Sequence, residues 1–343
     1  MSIDLRSDTV TKPTKAMLER MRSAPLGDDS RDGDPTVQTL EALAAERTGK
    51  EAGLFLASGT MGNLVALLTH SERGGEVICD AGAHMLRSEM GGIATIAGLF
   101  FHTLASNRGA IDLETLKDAL SPKLTPSRLA TGLVWMETSH NDAGGAVLPL
   151  DHMRSVQALA RDHGVPVHID GARLFNAATA LAVDARVIAA YGDSVMFCVS
   201  KGLSAPVGSL LVGSQAFITR ARAFRRMVGG AMRQAGVIAA AGVVALEDMV
   251  GRLAEDHRMA KRLAEGLGAI DRSLIDPATV ETNIVRIEVT DAQHWAEALA
   301  RQGVLVGPWT SRQIRCVTHR HIGPDEIDQA IAAFAKTWHE TNE

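Results

Sequence analysis

Apolar and polar positions along the chain change period repeatedly. Short runs rich in β-branched and aliphatic residues, at 53–57, 76–79, 133–137, 166–169, 194–199 and 209–213, are separated by stretches with apolar residues at helical spacing. This alternation predicts strands joined by crossover helices, and so a mostly parallel sheet covered by helices, with reactive residues at strand ends. Beyond residue 250 the rhythm changes to an amphipathic pattern at 253–267, an apolar run at 284–289, a helix at 292–302, a run at 314–318 and a last helix from Pro324. The reading has three parts. Residues 1–20 are an N-terminal segment expected near the active site, 21–250 a large α/β domain, and 251–343 a smaller α+β domain.

Composition narrows the class of protein. Of 343 residues, 46% are apolar and 22% charged, which suits a soluble globular chain able to bury a sizeable core. The 40 acidic and 35 basic residues give a net charge of -5 and are dispersed without a long run of one sign. Nucleic acid and anionic membrane are therefore poor partners, and a small molecule is the better expectation. Cys79, Cys198 and Cys316 are odd in number, match no metal spacing and fall in strand-like segments, the pattern of buried reduced thiols. The first residues are polar, and no uninterrupted apolar run is long enough for a membrane span, so the cytoplasm is the expected compartment.

Two charged residues close apolar runs. Lys201 follows Ser194-Val-Met-Phe-Cys-Val-Ser200, and Asp170 ends Val165-Pro-Val-His-Ile. A lysine at a strand end can form a Schiff base with an aldehyde cofactor, and a carboxylate one strand away can pair with a protonated pyridine nitrogen, the two requirements of a pyridoxal phosphate site. Alone, Lys201 reads more readily as a solvated strand end and Asp170 as a helix N-cap; only the ensemble overturns that reading. The segment Ser58-Gly59-Thr60-Met-Gly-Asn63 follows a strand-like run and opens a helical one, placing amides and hydroxyls where a phosphate binds or where a helix is simply capped. His84, after another strand, is positioned either to stack on a pyridine ring and act as a base or to serve a structural role. Arg173 and Arg315 are candidates for a two-point clamp on an amino-acid carboxylate, against the alternatives of a salt bridge and a surface strand charge. The pair His319 and His321 has no metal-ligand spacing, and no metal is expected.

The ensemble resembles the low-specificity L-threonine aldolases, fold-type I pyridoxal phosphate enzymes related to the β-eliminating lyases. The matching segments run nearly the whole length in order: Asp4-Leu-Arg-Ser7-Asp-Thr-Val-Thr11-Lys-Pro, Gly27-Asp-Asp, Asp34-Pro-Thr-Val, Ser58-Gly-Thr-Met-Gly-Asn63, Gly144-Gly-Ala-Val-Leu-Pro149, Asp170-Gly-Ala-Arg-Leu-Phe-Asn176, Ser200-Lys-Gly-Leu203, Pro206-Val-Gly-Ser209 and Gly229-Gly-Ala-Met-Arg-Gln234. The resemblance implies a mostly parallel seven-stranded sheet with a smaller α+β C-terminal domain. It implies pyridoxal 5'-phosphate bound covalently to Lys201, with Asp170 on the pyridine nitrogen, Ser58, Gly59 and Thr60 at the phosphate, and His84 stacked on the ring. Ser7, Arg173 and Arg315 would hold the substrate carboxylate. Arg233 would reach a phosphate across a subunit boundary of a homotetramer built from dimers.

Two positions depart from the family pattern. Arg31, in Gly27-Asp-Asp-Ser30-Arg31-Asp32-Gly33, stands where a tyrosine is usual, which adds a charge near the substrate or on the surface of a shifted loop. Ser127 falls about where many members carry a histidine that contacts the substrate hydroxyl. The implied reaction is retro-aldol cleavage of L-threonine, L-allo-threonine or a related β-hydroxy-α-amino acid to glycine and an aldehyde. An aldolase for bulkier, phenylserine-like substrates and a β-eliminating lyase or racemase on the same Lys201 and Asp170 are the alternatives. A non-catalytic protein on this fold would have little reason to carry both residues.

Overall fold

A seven-stranded sheet forms the centre of the computed structural model, which describes residues 2–342. Its strands are β1 (Ala52–Leu56), β2 (Glu76–Asp80), β3 (Phe100–Leu104), β4 (Thr131–Glu137), β5 (Val167–Asp170), β6 (Ser194–Cys198) and β7 (Ser209–Gly213), in the order β1-β7-β6-β5-β4-β2-β3. Strands β2 to β6 are parallel, and β7 is antiparallel to both of its neighbours. Six strands match the predicted runs to within two residues. β3 was not among them: the stretch 91–101 is largely apolar without a clean period of two or 3.6, and as an edge strand β3 leaves Phe100 and Phe101 exposed.

The two-residue period of the strands sorts their side chains onto two faces. Phe55, Val195, Phe197, Leu210 and Val212 enter one buried cluster, and Leu54, Leu56, Met196, Cys198 and Leu211 enter another. Burial on both faces is what a near-continuous apolar run such as Val195-Met-Phe-Cys requires, and it makes the strand ends the places where polar groups can meet solvent. The three cysteines are free and buried.

Three antiparallel strands, β8 (Ile284–Glu288), β9 (Gly307–Thr310) and β10 (Gln313–Val317), form a second sheet in the order β8-β10-β9. Their core is shared with the helices Leu253–Ile270, Ala292–Arg301 and Pro324–Asn342, and contains Trp295 and Phe334. The N-terminal strand Ile3–Asp4 pairs in parallel with Val304–Leu305, and Leu5 joins the same core. This anchorage carries the next residues to the end of β6, where the Thr11 hydroxyl donates to the Lys201 carbonyl at 2.8 Å. Among the described residues no helix is long and apolar enough to cross a membrane.

Candidate active site

The carboxyl ends of β4, β5 and β6 stand side by side, so that Glu137 is opposite Asp170 and Asp170 opposite Met196 in the register. Lys201 lies three residues past the end of β6, and together with Asp170 it lines a cavity of about 340 Å³. Ser58, Gly59, Thr60 and His84 line the same cavity. An adjoining cavity of about 180 Å³ shares His84, Asp170 and Lys201 with the first and adds Ser7, Arg173 and Arg315. Crevices outside the carboxyl ends of a parallel sheet are where this class of fold binds ligands. A larger cavity of about 550 Å³, bounded by Asp4, Lys12, His319 and His321, contains none of these groups.

Gly59 and Thr60 open the helix Gly59–His70, whose N-cap is Ser58, its hydroxyl accepting from the Met61 amide at 3.2 Å. The helix start presses against β6: a Cβ on Gly62 would come within 2.6 Å of Met196 Cγ. Glycine at that position lets the helix bring its unpaired first-turn amides to the sheet end, a geometry that favours an anion.

Asp170 is almost fully buried. Its Oδ2 accepts from Asn63 Nδ2 at 2.8 Å, and its Oδ1 accepts from the Ala172 amide at 3.1 Å. It does not cap the following helix, Leu174–Leu181, whose N-cap position is Arg173. Asn63 also donates to Glu89 Oε1 at 2.7 Å, and Glu89 in turn pairs with His84 Nδ1 at 2.8 Å. His84, Glu89 and Asp170 consequently place potential ligand atoms within 4.8 Å of one another, a grouping invisible in the linear spacing. Burial pushes His84 down, but the Glu89 hydrogen bond and the charges of Asp170, Glu89 and Glu137 outweigh it and raise its pKa above the ordinary histidine value. Burial raises Glu89 and Glu137, which lie close to the Asp170 charge. Glu137 accepts from the His84 amide at 2.7 Å and from the Asn141 amide at 2.8 Å.

The two arginines differ in setting. Arg173 forms a buried two-point pair with Asp8, Nε to Oδ2 and Nη2 to Oδ1, each 2.7 Å, which leaves Nη1 without a protein partner among the described residues. Arg315 donates from Nη1 to Asn141 Oδ1 at 2.7 Å, and its guanidinium carbon lies 4.7 Å from the centre of the Trp309 ring. Burial, with repulsion from Arg173, moves Arg315 down to about 10, still charged at neutral pH. Ser7 caps the short turn Asp8–Val10, accepting from the Thr9 amide at 3.2 Å.

The remaining sequence candidates lie apart from both cavities. Arg31 and Arg233 are 78% and 63% exposed at their side chains and approach Asp28 at 3.8 and 3.6 Å. The role expected of Arg233 concerns a second copy of the chain. Ser127 sits on an exposed turn bridged by Thr125 and Arg128. Asp8, Asn63, Glu89, Glu137 and Asn141 were not assigned roles from sequence. Asp8 and Asn63 lie inside quoted motifs and Glu137 closes the apolar run 133–137, where their position was the available signal; Glu89 and Asn141 are brought in by the fold.

The residues fit a phosphorylated pyridine aldehyde. Lys201 Nζ has no hydrogen-bond or ion-pair partner among the described residues, and Asn63 Oδ1 is buried without a partner on the cavity wall. Such groups are what an amine-binding ring with a protonated nitrogen would engage.

The fold and the sequence together define the class: the chain belongs to the beta-eliminating lyase family, whose sequence profile matches residues 4–290. Within it the chain belongs with the low-specificity L-threonine aldolases. It is 42% identical to the probable low-specificity L-threonine aldolase 2 of Arabidopsis thaliana, with 98% of each chain covered. It is 41% identical to the low specificity L-threonine aldolase of Escherichia coli K12, with 96% of this chain and 97% of that one covered. The Leishmania major threonine aldolase structure shares the fold, with a TM-score of 0.83 at 18% identity over 98% of this chain and 99% of that one.

Proposed function

We propose that the protein is a pyridoxal phosphate-dependent lyase that cleaves L-threonine, L-allo-threonine or a related β-hydroxy-α-amino acid to glycine and an aldehyde. The observation that carries this reading is the meeting of Lys201 and Asp170 on one cavity, with Arg173 and Arg315 on the cavity beside it. The kinship with proteins named threonine aldolases selects the reaction. When bound, pyridoxal phosphate supplies an electron sink for the pair left on Cα as the Cα–Cβ bond breaks.

Each residue then has a distinct task. Lys201 holds the cofactor covalently, and Asp170, fixed by Asn63, holds a proton at the ring nitrogen. Ser58 and the amides of Gly59 and Thr60 bind the phosphate at the helix start. Ser7, Arg173 and Arg315 fix the substrate carboxylate, which orients the Cα–Cβ bond for cleavage. His84, held by Glu89 on the cavity wall, would take the β-hydroxyl proton, directly or through water. Arg233 reaches the phosphate of a second copy in a homotetramer, whereas Arg31, exposed and apart from both cavities, takes no part within one chain. Residues 21–250 act as the cofactor-binding domain and 251–343 as the small domain of a cytoplasmic enzyme. Replacing Lys201 by Ala tests the core of this reading: turnover and the absorbance of lysine-bound cofactor are expected to vanish, and normal turnover would refute it.

A further inference from the structure

Trp309 lies outside every motif singled out in the sequence, yet its ring stacks on Arg315. The stack has a structural cause. Pairing between β9 and β10 sets Gly307 opposite Arg315 and Pro308 opposite Ile314, then slips by one residue so that Thr310 meets Gln313. Trp309 is the extra residue of this β-bulge, a device that re-aims a side chain.

Both members of the stack are fastened by consecutive residues of one loop. Asn141 Oδ1 accepts from Arg315 Nη1 at 2.7 Å, and Asp142 Oδ1 accepts from Trp309 Nε1 at 2.9 Å. The Asp142 carbonyl is held in turn by Arg286, and the Asn141 amide by Glu137 at 2.8 Å. Among the described residues the Arg315 side chain makes one further hydrogen bond, from Nη2 to the Arg6 carbonyl at 3.4 Å, and it lines the smaller cavity with donors to spare. A half-buried guanidinium on an aromatic face gains from the ring quadrupole without losing a donor, whereas a carboxylate partner would compete with an incoming carboxylate.

We propose that Trp309 is a positioning residue for substrate binding: anchored by Asp142, it holds the Arg315 guanidinium in the orientation that receives an amino-acid carboxylate. The proposal rests on the reading of Arg315 as a carboxylate ligand. On cofactor-loaded enzyme, the affinity for glycine and for ethanolamine, an amine without a carboxylate, is read from the change in cofactor absorbance, alongside KM and kcat for L-threonine.

Trp309→Leu is expected to weaken glycine and raise KM by about three- to thirtyfold, with kcat changed far less and ethanolamine binding unchanged. Trp309→Phe, which keeps an aromatic face, is expected to recover most of the loss. Equal weakening of glycine and ethanolamine in the Leu variant, unchanged glycine affinity, or failure of Phe to recover it would overturn the proposal. If the Leu variant does not fold, the Phe variant and Asp142→Ala, which frees the indole, are read in its place; glycine weakening in Asp142→Ala at constant ethanolamine affinity is the expected result, and its absence counts against the proposal. Arg315→Ala separates the two layers: undiminished glycine selectivity in that variant would refute the role of Arg315 itself.

Discussion

Both oxygens of the Asp8 carboxylate are held by Arg173, at 2.7 Å from Nε and from Nη2, in a pair almost wholly removed from water. Asn283 adds a third donor to Asp8 at 3.2 Å. The pair joins the N-terminal segment, which is anchored on the small sheet, to the residue three positions past Asp170. Arg173 also lines the smaller cavity, and its Nη1 has no partner among the described residues. Burial alone would raise the Asp8 carboxyl, but the charge and hydrogen bonds of Arg173 hold it well below the usual carboxylate range.

Asp8→Asn leaves the Arg173 charge buried without a counter-ion. Breaking such a pair costs roughly 3–5 kcal/mol, to be measured by urea unfolding at neutral pH. Because the folded-state pKa of Asp8 is depressed, the pair's contribution is present above the unfolded value near 4 and is lost progressively as pH falls below it. The wild-type advantage over Asp8→Asn should therefore be constant between about pH 6 and 8 and should shrink below about pH 4. An advantage independent of pH in the acid range would contradict this assignment.

The His84–Glu89 pair predicts a shape for the pH profile. With His84 raised above its ordinary value, the form able to take a proton grows as pH rises through a pKa above 6.5, so kcat should fall on the acid side of that value. Glu89→Gln removes a charge and its hydrogen-bond support, and the acid limb should move to lower pH. An acid limb that stays in place in Glu89→Gln would remove Glu89 from the His84 environment.

Gly62→Ala would normally favour a helix by up to about 1 kcal/mol. Here the new Cβ meets Met196 Cγ at 2.6 Å in a buried contact between helix and sheet. Overpacking of this kind costs about 1–3 kcal/mol, and the displaced helix start should retain pyridoxal phosphate less well during dialysis. Unchanged stability and retention would show that Met196 yields without moving the helix.

The parts of the fold that were legible in sequence are those governed by local period. Val195-Met-Phe-Cys is apolar on both faces and reads as a buried strand, and 253–267 carries the spacing of the helix that extends to Ile270. β3 was not legible because its neighbours on one side are solvent and its flank is apolar without a period. Lys201 and Asp170 were legible because a charge after an apolar run is conspicuous. Glu137 closes β4 as Asp170 closes β5 and carried the same signal, whereas Glu89 and Asn141 were not legible because the fold brings their separate loops together, and Trp309 owes its place to a one-residue slip in pairing that no local pattern announces. Arg173 shows a further limit. Sequence offered salt bridge and substrate clamp as alternatives, whereas the structure has the salt bridge through Nε and Nη2 and, among the described residues, no partner for Nη1.

The central claim is that this site breaks the Cα–Cβ bond of a β-hydroxy-α-amino acid. Its most direct test adds L-threonine, and separately L-allo-threonine, to the purified protein loaded with pyridoxal phosphate, and quantifies acetaldehyde, glycine and ammonia in the same sample. Acetaldehyde and glycine in equal amounts, without ammonia, are the predicted result; ammonia in place of acetaldehyde would contradict the account.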